Sequence, residues 1–390
     1  MLETYYSIFG SDKNVERIHS PYRVCPLGAH VDHQHGLVSG FAIDKGVDFL
    51  FTPSDNSVVD IRSLTFRGEI IFDINLPLAG KKNDWGDYIR GVVYSLKKRF
   101  DLKYGIKGLI KGSLPIGGLS SSAAVLVSYV MALSKANHIF LTPMEIIRIS
   151  SEAEREFVGL SNGILDQSCV VLSKDNNLLY LDTDTNDYQL LPMSNDMPDF
   201  EIGVVFSGLT RSLISSDYNL RVGECKVAAW NILASKNQML NSFDKTFLRD
   251  VPEASFRETK NSFPERFGKR AEHFYSECER VKKGANAWQK GDIHKFGKLL
   301  FESCNSSINE YECGSPELIA IYEIMRETDG IYGGRFSGAG FKGACICLLD
   351  PAKKETIERS VTEKYLKQFP QYEDSFEFHF CKTDSGARFV

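Results

Sequence analysis

The chain has 390 residues, enough for two domains with sizeable cores. Hydrophobic residues at 43%, charged residues at 25% and a net charge of −5 describe an ordinary globular protein, with neither a nucleic-acid surface nor a basic membrane patch. No apolar run reaches the roughly 18 residues of a membrane helix, and Met1-Leu-Glu-Thr-Tyr-Tyr6 lacks the basic and apolar regions of a signal peptide, so a cytoplasmic protein is expected.

From the N-terminus, Tyr22 to Leu27 reads as a short strand and Gly28 as a turn. Ala29 to His35 then crowd Asp32 and three histidines into one loop. The cluster has no i, i+4 histidine pair and no cysteine, so a polar pocket for a hydroxylated ligand is a better reading than a metal site. Phe41–Asp44, Val47–Thr52 and Val58–Ser63 read as strands of a mixed sheet. Asp84 to Leu96 reads as an amphipathic helix capped by Asp84, with Trp85 either in the core or stacked on a flat base.

The most informative stretch is Leu114-Pro-Ile-Gly-Gly-Leu-Ser-Ser-Ser-Ala-Ala124. Pro115, Gly117 and Gly118 suit a tight turn, Leu119 and the serines Ser120, Ser121 and Ser122 follow, and an apolar helix runs from Ala123 to Leu133. A glycine turn feeding a helix gathers unpaired N–H groups and the positive end of the helix dipole at one spot. Glycines let the backbone approach phosphate oxygens closely, and hydroxyls add hydrogen bonds or reach a metal. The plain alternative is a capped helix after a loop. No Gly-Lys-Ser/Thr closes the turn, so it is not a P-loop.

Thr142-Pro-Met-Glu145 is a capping box that opens a helix expected to run to Phe157, with Glu154 near its end as either a solvated edge or a ligand. Asn162-Gly-Ile-Leu-Asp166 sets a lone acid among apolar residues, a position that requires partners or a task. Residues 174–202 are rich in turns and short strands, and a domain boundary is expected near 190. A buried strand over Ile202–Thr210 follows, then a long helix after Asp217 and helical patterns through most of 262–328. Gly333 to Gly343 forms a second glycine-rich loop before the strand Ala344–Leu349. The nine cysteines are scattered and complete no zinc site, as expected of buried thiols in a reducing compartment.

Arg23–Asp32, Leu114–Ala124 and Gly333–Gly343 together resemble the three motifs of the GHMP small-molecule kinases, in the same order. The likeness is to the galactokinase branch, and within it to the kinases of uronic acids, whose pattern is similar to Pro21-Tyr-Arg-Val-Cys-Pro-Leu-Gly-Ala-His-Val-Asp-His-Gln34. Asn162–Ser168, Tyr218–Val222, Lys269–His273 and Tyr311–Gly314 extend it over nearly the whole chain. The resemblance implies a two-domain α/β (α+β) fold. Residues 1–190 would form a domain of the ribosomal-S5 domain 2 type, and residues 191–390 an α+β domain with the active site in the cleft. It implies ATP and Mg²⁺ as cofactors, and a monomer whose partners are ATP and a small sugar acid. Asp166 matches the catalytic aspartate and Arg23 its partner; Ser122 and Glu154 match the magnesium ligands. Ala29, His30, Asp32, Gly163 and Tyr218 fall at sugar-contact positions, and Trp85 with the loop Gly117–Ser122 at the nucleotide.

In galactokinases the residue at Ala29 is Glu, in Gly-Arg-Val-Asn-Leu-Ile-Gly-Glu-His-Thr-Asp, and it receives the C6 hydroxyl of galactose. A uronic acid would bring a like charge to that Glu. At about 4 Å and an effective dielectric near 20 the repulsion is on the order of 4 kcal/mol. Alanine removes it, so the resemblance implies phosphorylation of D-galacturonate at its anomeric hydroxyl. A galactokinase, a kinase of L-arabinose and an inactive sugar sensor are the competing readings.

Overall fold

A computed structural model of the protein describes residues 1–11, 15–78, 80–115, 117–160, 162–209, 217–237 and 242–390. Ile116 of the phosphate loop and Thr210, expected to end a strand, lie outside the described residues. The elements in chain order are α1 (Leu2–Phe9), β1 (Glu16–Val24), β2 (Leu37–Pro53), β3 (Val58–Ser63), β4 (Glu69–Asp73), α2 (Asp87–Lys97), β5 (Ile106–Gly112), α3 (Ser121–Ala136), α4 (Pro143–Glu152) and α5 (Leu165–Leu172). They continue with β6 (Asn177–Asp182), β7 (Tyr188–Pro192), β8 (Glu201–Phe206), α6 (Asp217–Ser235), α7 (Glu253–Thr259), α8 (Glu265–Gln289), α9 (Ile293–Asn309) and α10 (Pro316–Glu327). The last are β9 (Ile331–Phe336), β10 (Ala344–Leu349), α11 (Lys354–Gln368), β11 (Glu377–Cys381), β12 (Thr383–Asp384) and β13 (Arg388–Phe389).

A first sheet runs β13-β1-β2-β5-β3-β4, with β6 and β12 also paired to β2 and β7 to β6. The β3–β5 pair is parallel and the others are antiparallel. Helices α2 to α5 pack against one another and on this sheet. A second sheet, β11-β8-β10-β9, is antiparallel and carries the helices that follow residue 217. The last strands, β12 and β13, return to the first sheet, so the second half of the chain does not end within its own sheet. One apolar core joins the halves: Phe41 of β2 meets Trp288 of α8 at 5.1 Å between ring centres, and the Trp288 indole donates to the Leu191 carbonyl at 2.9 Å.

Several boundaries differ from those expected. Phe41–Asp44 and Val47–Thr52 belong to one strand, because Gly46 bends rather than turns the chain. A side chain at Gly46 would meet the Ser20 carbonyl oxygen at 2.4 Å, and β1 shifts register beside it between Pro21 and Tyr22. The helix expected from Asp84 begins at Asp87, with Asp84 bound to Arg90 and to the Gly86 amide. The phosphate-loop helix begins at Ser121, two residues earlier than expected. The helix opened by Thr142 ends as an α-helix at Glu152 and continues as a π-turn over Ala153–Val158. Gly333–Phe336 of the second glycine-rich stretch are strand, since Gly333 and Gly334 pack face to face with the Gly297 backbone and Met325 where no side chain fits.

Candidate active site

The turn into α5 places Asp166 in its first turn, facing the end of β1. Arg23 Nε donates to Asp166 Oδ1 at 2.7 Å, with the two side chains only 5% and 17% exposed. Burial works against the Arg23 charge, but Asp166 outweighs it and the guanidinium is held above its ordinary range. Arg23 also donates to the Gly118 carbonyl at 3.0 Å, which fixes strand, acid and glycine turn to one another. Ser120, at φ 51°, makes no side-chain cap and instead gives its hydroxyl to Asp166 Oδ2. The left-handed backbone at Ser120 turns its hydroxyl towards the acid while the residue still lines the cavity with the rest of the loop.

The second glycine-rich loop supports the Leu114–Ala124 loop. Ser337 donates to the Gly118 carbonyl at 2.6 Å. Side chains at Gly117 and Gly118 would lie 2.9 Å from the Gly343 Cα and 3.0 Å from the Ala344 nitrogen. Both glycines have positive φ, 150° and 77°, so the two loops touch through bare backbone. Leu119 is 2% exposed and turns into the core; it contributes to the loop through its carbonyl, which accepts from the Arg23 amide.

A cavity of about 370 Å³ lies between these loops. Arg23, Asp166, Gly117, Gly118 and the serines 120–122 line it on one side. Ala29, His30, Asp32 and Tyr218, expected at the sugar, line it with Arg335 and Lys342. Gly163 stands behind Asp32, where a Cβ would fall 2.3 Å from Asp32 Oδ2. Burial first, then the nearby Asp166, pushes the Asp32 carboxyl up to about 6. His30 has φ 62° and stacks on Tyr311 at 4.3 Å. Tyr218 is held well above its ordinary value, by burial before the acids around it.

Glu154 sits on the π-turn, 0% exposed, and is no solvated edge. Gln167 Nε2 donates to its Oε2 at 2.7 Å, Ser122 and Asn162 lie where they favour its charge, and among the described residues Oε1 has no partner. Trp85 lines a smaller adjoining cavity of about 110 Å³, with Phe66, Tyr88, Ser121 and Ser122. Its ring lies parallel to Phe66, and its indole donates to the Arg67 carbonyl at 3.1 Å. A planar slot beside the serines is the kind of space a flat base occupies.

Sequence reasoning passed over Gln167, Glu277 and Arg335. Glu277 is fully buried and accepts from the amides of Gly28 and Ala29, so α8 sets the shape of a loop 248 and more residues away. His273, on the same helix, donates from Nε2 to the Ala29 carbonyl at 2.9 Å. Nothing local marks Glu277 out, since its helix reads as charged throughout. Lys269–His273 and Tyr311–Gly314 carried a signal only as part of the resemblance.

The chain matches the GHMP kinases N terminal domain over residues 87–174 and the GHMP kinases C terminal domain over residues 285–367. It is 41% identical to a galacturonokinase of Arabidopsis thaliana, over 99% of this chain and 96% of that one. It is 32% identical to a galactokinase of Thermosipho africanus, over 90% and 94%. The crystal structure of Lactococcus lactis galactokinase complexed with galactose superposes with a TM-score of 0.90 at 27% identity, covering 99% of this chain and 98% of that one.

Proposed function

The chain belongs to the GHMP kinases, and from that premise we propose that it transfers the γ-phosphoryl group of ATP to the anomeric hydroxyl of D-galacturonate, giving galacturonate 1-phosphate. The observation that carries this reading is the buried Arg23–Asp166 pair opening on a cavity whose wall carries alanine at position 29. At position 29 itself a sugar carboxylate meets a methyl group rather than a carboxylate.

Asp166 accepts the proton of the C1 hydroxyl as its oxygen attacks the γ-phosphorus, and the bond from that phosphorus to the bridging oxygen of ADP breaks. Arg23 holds the carboxylate in place and offsets charge on the phosphoryl group in transit. Backbone amides at Gly117–Ser121, at the N-terminus of α3, take the phosphate oxygens, and Trp85 with Phe66 and Tyr88 takes the base. Asp32, His30 and Tyr218 hold the sugar hydroxyls.

Magnesium suits the residues present. Glu154 is a buried carboxylate with one oxygen unpartnered among the described residues, and the Ser122 hydroxyl lies near it, a pair of hard oxygen donors. When bound, the ion offsets charge on the β- and γ-phosphates.

We also propose a cytoplasmic monomer divided near residue 190, with β12 and β13 docked on the first part. Among the described residues no helix is long and apolar enough to cross a membrane. A panel of D-galacturonate, galactose and L-arabinose, offered with ATP and Mg²⁺ and read by NMR for the 1-phosphate, tests the assignment. Galacturonate turned over no faster than the other two would sink it.

A further inference from the structure

Three ionised side chains meet behind Ala29. Glu277 Oε1 accepts from the Gly28 amide at 2.7 Å and the Ala29 amide at 3.3 Å. Arg280, one helical turn on, donates to Oε2 at 2.6 Å, and Arg335 Nη1 lies 3.5 Å from Oε1. Ser303 donates to Glu277 at 2.6 Å. The Arg335 guanidinium also bonds the Ser303 hydroxyl and, at 3.0 Å, the Phe336 carbonyl. Two guanidinium groups thus face one carboxylate, and the group holds one positive charge in excess where Arg335 and Glu277 have essentially no exposed side-chain surface.

Arg280 also lines a surface pocket with Glu302 and Glu310, while Arg335 lines the cavity with Ala29. His273 and His33 are held neutral, pushed down to about 4 and about 3 by burial first. At His30, burial, His273, Arg335 and His33 all work against a proton, while Glu277 favours one more weakly than Arg335 opposes it. Arg335 thus outweighs Glu277 at His30, whereas at His273, which bonds the Ala29 carbonyl, Glu277 outweighs each of the two arginines. The acids of the cavity, Asp32 and Asp166, lie against the start of α5, where Asp32 is within reach of the Leu165 amide. Arg335 and Ala29 both line the cavity, so a buried guanidinium stands at its wall. Two guanidinium groups that share one carboxylate leave room for a second anion, and charges attract more strongly in the interior than in water.

We infer that the Ala29 wall is an anion seat, in which the buried Arg280–Glu277–Arg335 group is completed by the carboxylate of the bound sugar acid. This rests on the uronate reading above and names the part of the protein that recognises it. Arg335 and Arg280 act as positioning residues: they set the potential at the wall, and the sugar's own carboxylate fills a place that no side chain of the described residues occupies.

Ala29→Glu and Ala29→Gln test the seat by putting a carboxylate and its uncharged counterpart at one point. Without ligand, the Glu variant is expected to melt above the Gln variant. Galacturonate is expected to raise the melting temperature of the wild type and to leave that of the Glu variant unchanged. Arg280→Gln removes one cation from a side chain only 13% exposed. It is expected to raise the KM for galacturonate about tenfold and to move the KM for ATP by less than about twofold. Arg280→Lys, which keeps the charge, is expected to retain the wild-type KM for galacturonate. A Glu variant that melts no higher than the Gln variant overturns the seat, and so does an unchanged galacturonate KM in a folded Arg280→Gln. If Arg280→Gln does not fold, the melting pair at position 29 decides alone. A wild type that turns over galactose and not galacturonate would end the substrate reading, while the Glu–Gln melting difference would still decide whether the seat exists.

Discussion

Gln167 and Glu154 form a buried hydrogen bond of 2.7 Å, and neither residue has any exposed surface. Gln167 follows Asp166 directly, so the first turn of α5 presents the acid to the cavity and braces the carboxylate suited to the metal. Gln167→Leu should raise the Mg²⁺ concentration for half-maximal activity by about tenfold or more. It should also weaken Mg²⁺-dependent binding of ATP in calorimetry, which reports on the site without turnover. Metal dependence equal to wild type in both measurements would reduce Gln167 to a packing residue.

Asp166→Asn keeps the shape of the side chain and removes its capacity to take a proton. Turnover should fall by about 10² to 10⁴-fold, with ATP binding retained. Single-turnover phosphate transfer, followed by rapid quench, measures this. A variant within a few-fold of wild type would remove Asp166 from the chemistry.

Gly163→Ala puts a methyl group 2.3 Å from Asp32 Oδ2 and 2.7 Å from the Asp32 carbonyl carbon, so the acid must move. With Asp32 at the sugar as proposed, the KM for the sugar should rise by about tenfold and the KM for ATP should stay near its original value. Equal changes in both constants would point to a general loss of structure.

Acid should destabilise the protein through its buried histidines. Folded His33 and His273 lie at about 3 and about 4, both below the ordinary 6.5. A depressed folded pKa means that the unfolded chain binds the proton first. Their contribution is therefore complete above pH 6.5 and falls away as pH drops towards those values. By pH 5 the loss is on the order of 2 kcal/mol for each histidine. Asp32 works in the opposite sense, since its folded value is raised to about 6, and offsets part of the loss. Glu277, lowered to about 2, adds a second acid limb below its ordinary 4.5. Urea unfolding midpoints at pH 7.5 and pH 5 measure the balance, with the lower midpoint expected at pH 5. A midpoint that rises at pH 5 would contradict the neutral, buried state of these histidines.

The chemistry-bearing residues were legible because each lies in a short local pattern. A glycine turn followed by serines and an apolar helix can be recognised from a dozen residues, and so can the acid after Asn162-Gly163. Their identities follow from bond geometry and helix dipoles, which act over neighbouring positions. The capping box at Thr142–Glu145 is legible for the same reason and forms as expected. Element ends were less legible: the bend at Gly46 and the π-turn at Ala153–Val158 answer to the packing of distant segments.

What the amino-acid sequence determined by itself was the family pattern, the phosphate turn, the acid with its arginine, and the alanine at position 29. Only the tertiary structure decided what lies behind that alanine. Glu277, Arg280 and Arg335 come from two elements far along the chain, and on a charged helix Glu277 has nothing to separate it from its solvated neighbours. It becomes distinct when folding removes it from water and sets it against two guanidinium groups and the amides of Gly28 and Ala29. Burial and charge balance are properties of the assembled interior, where a weak surface interaction becomes a strong one.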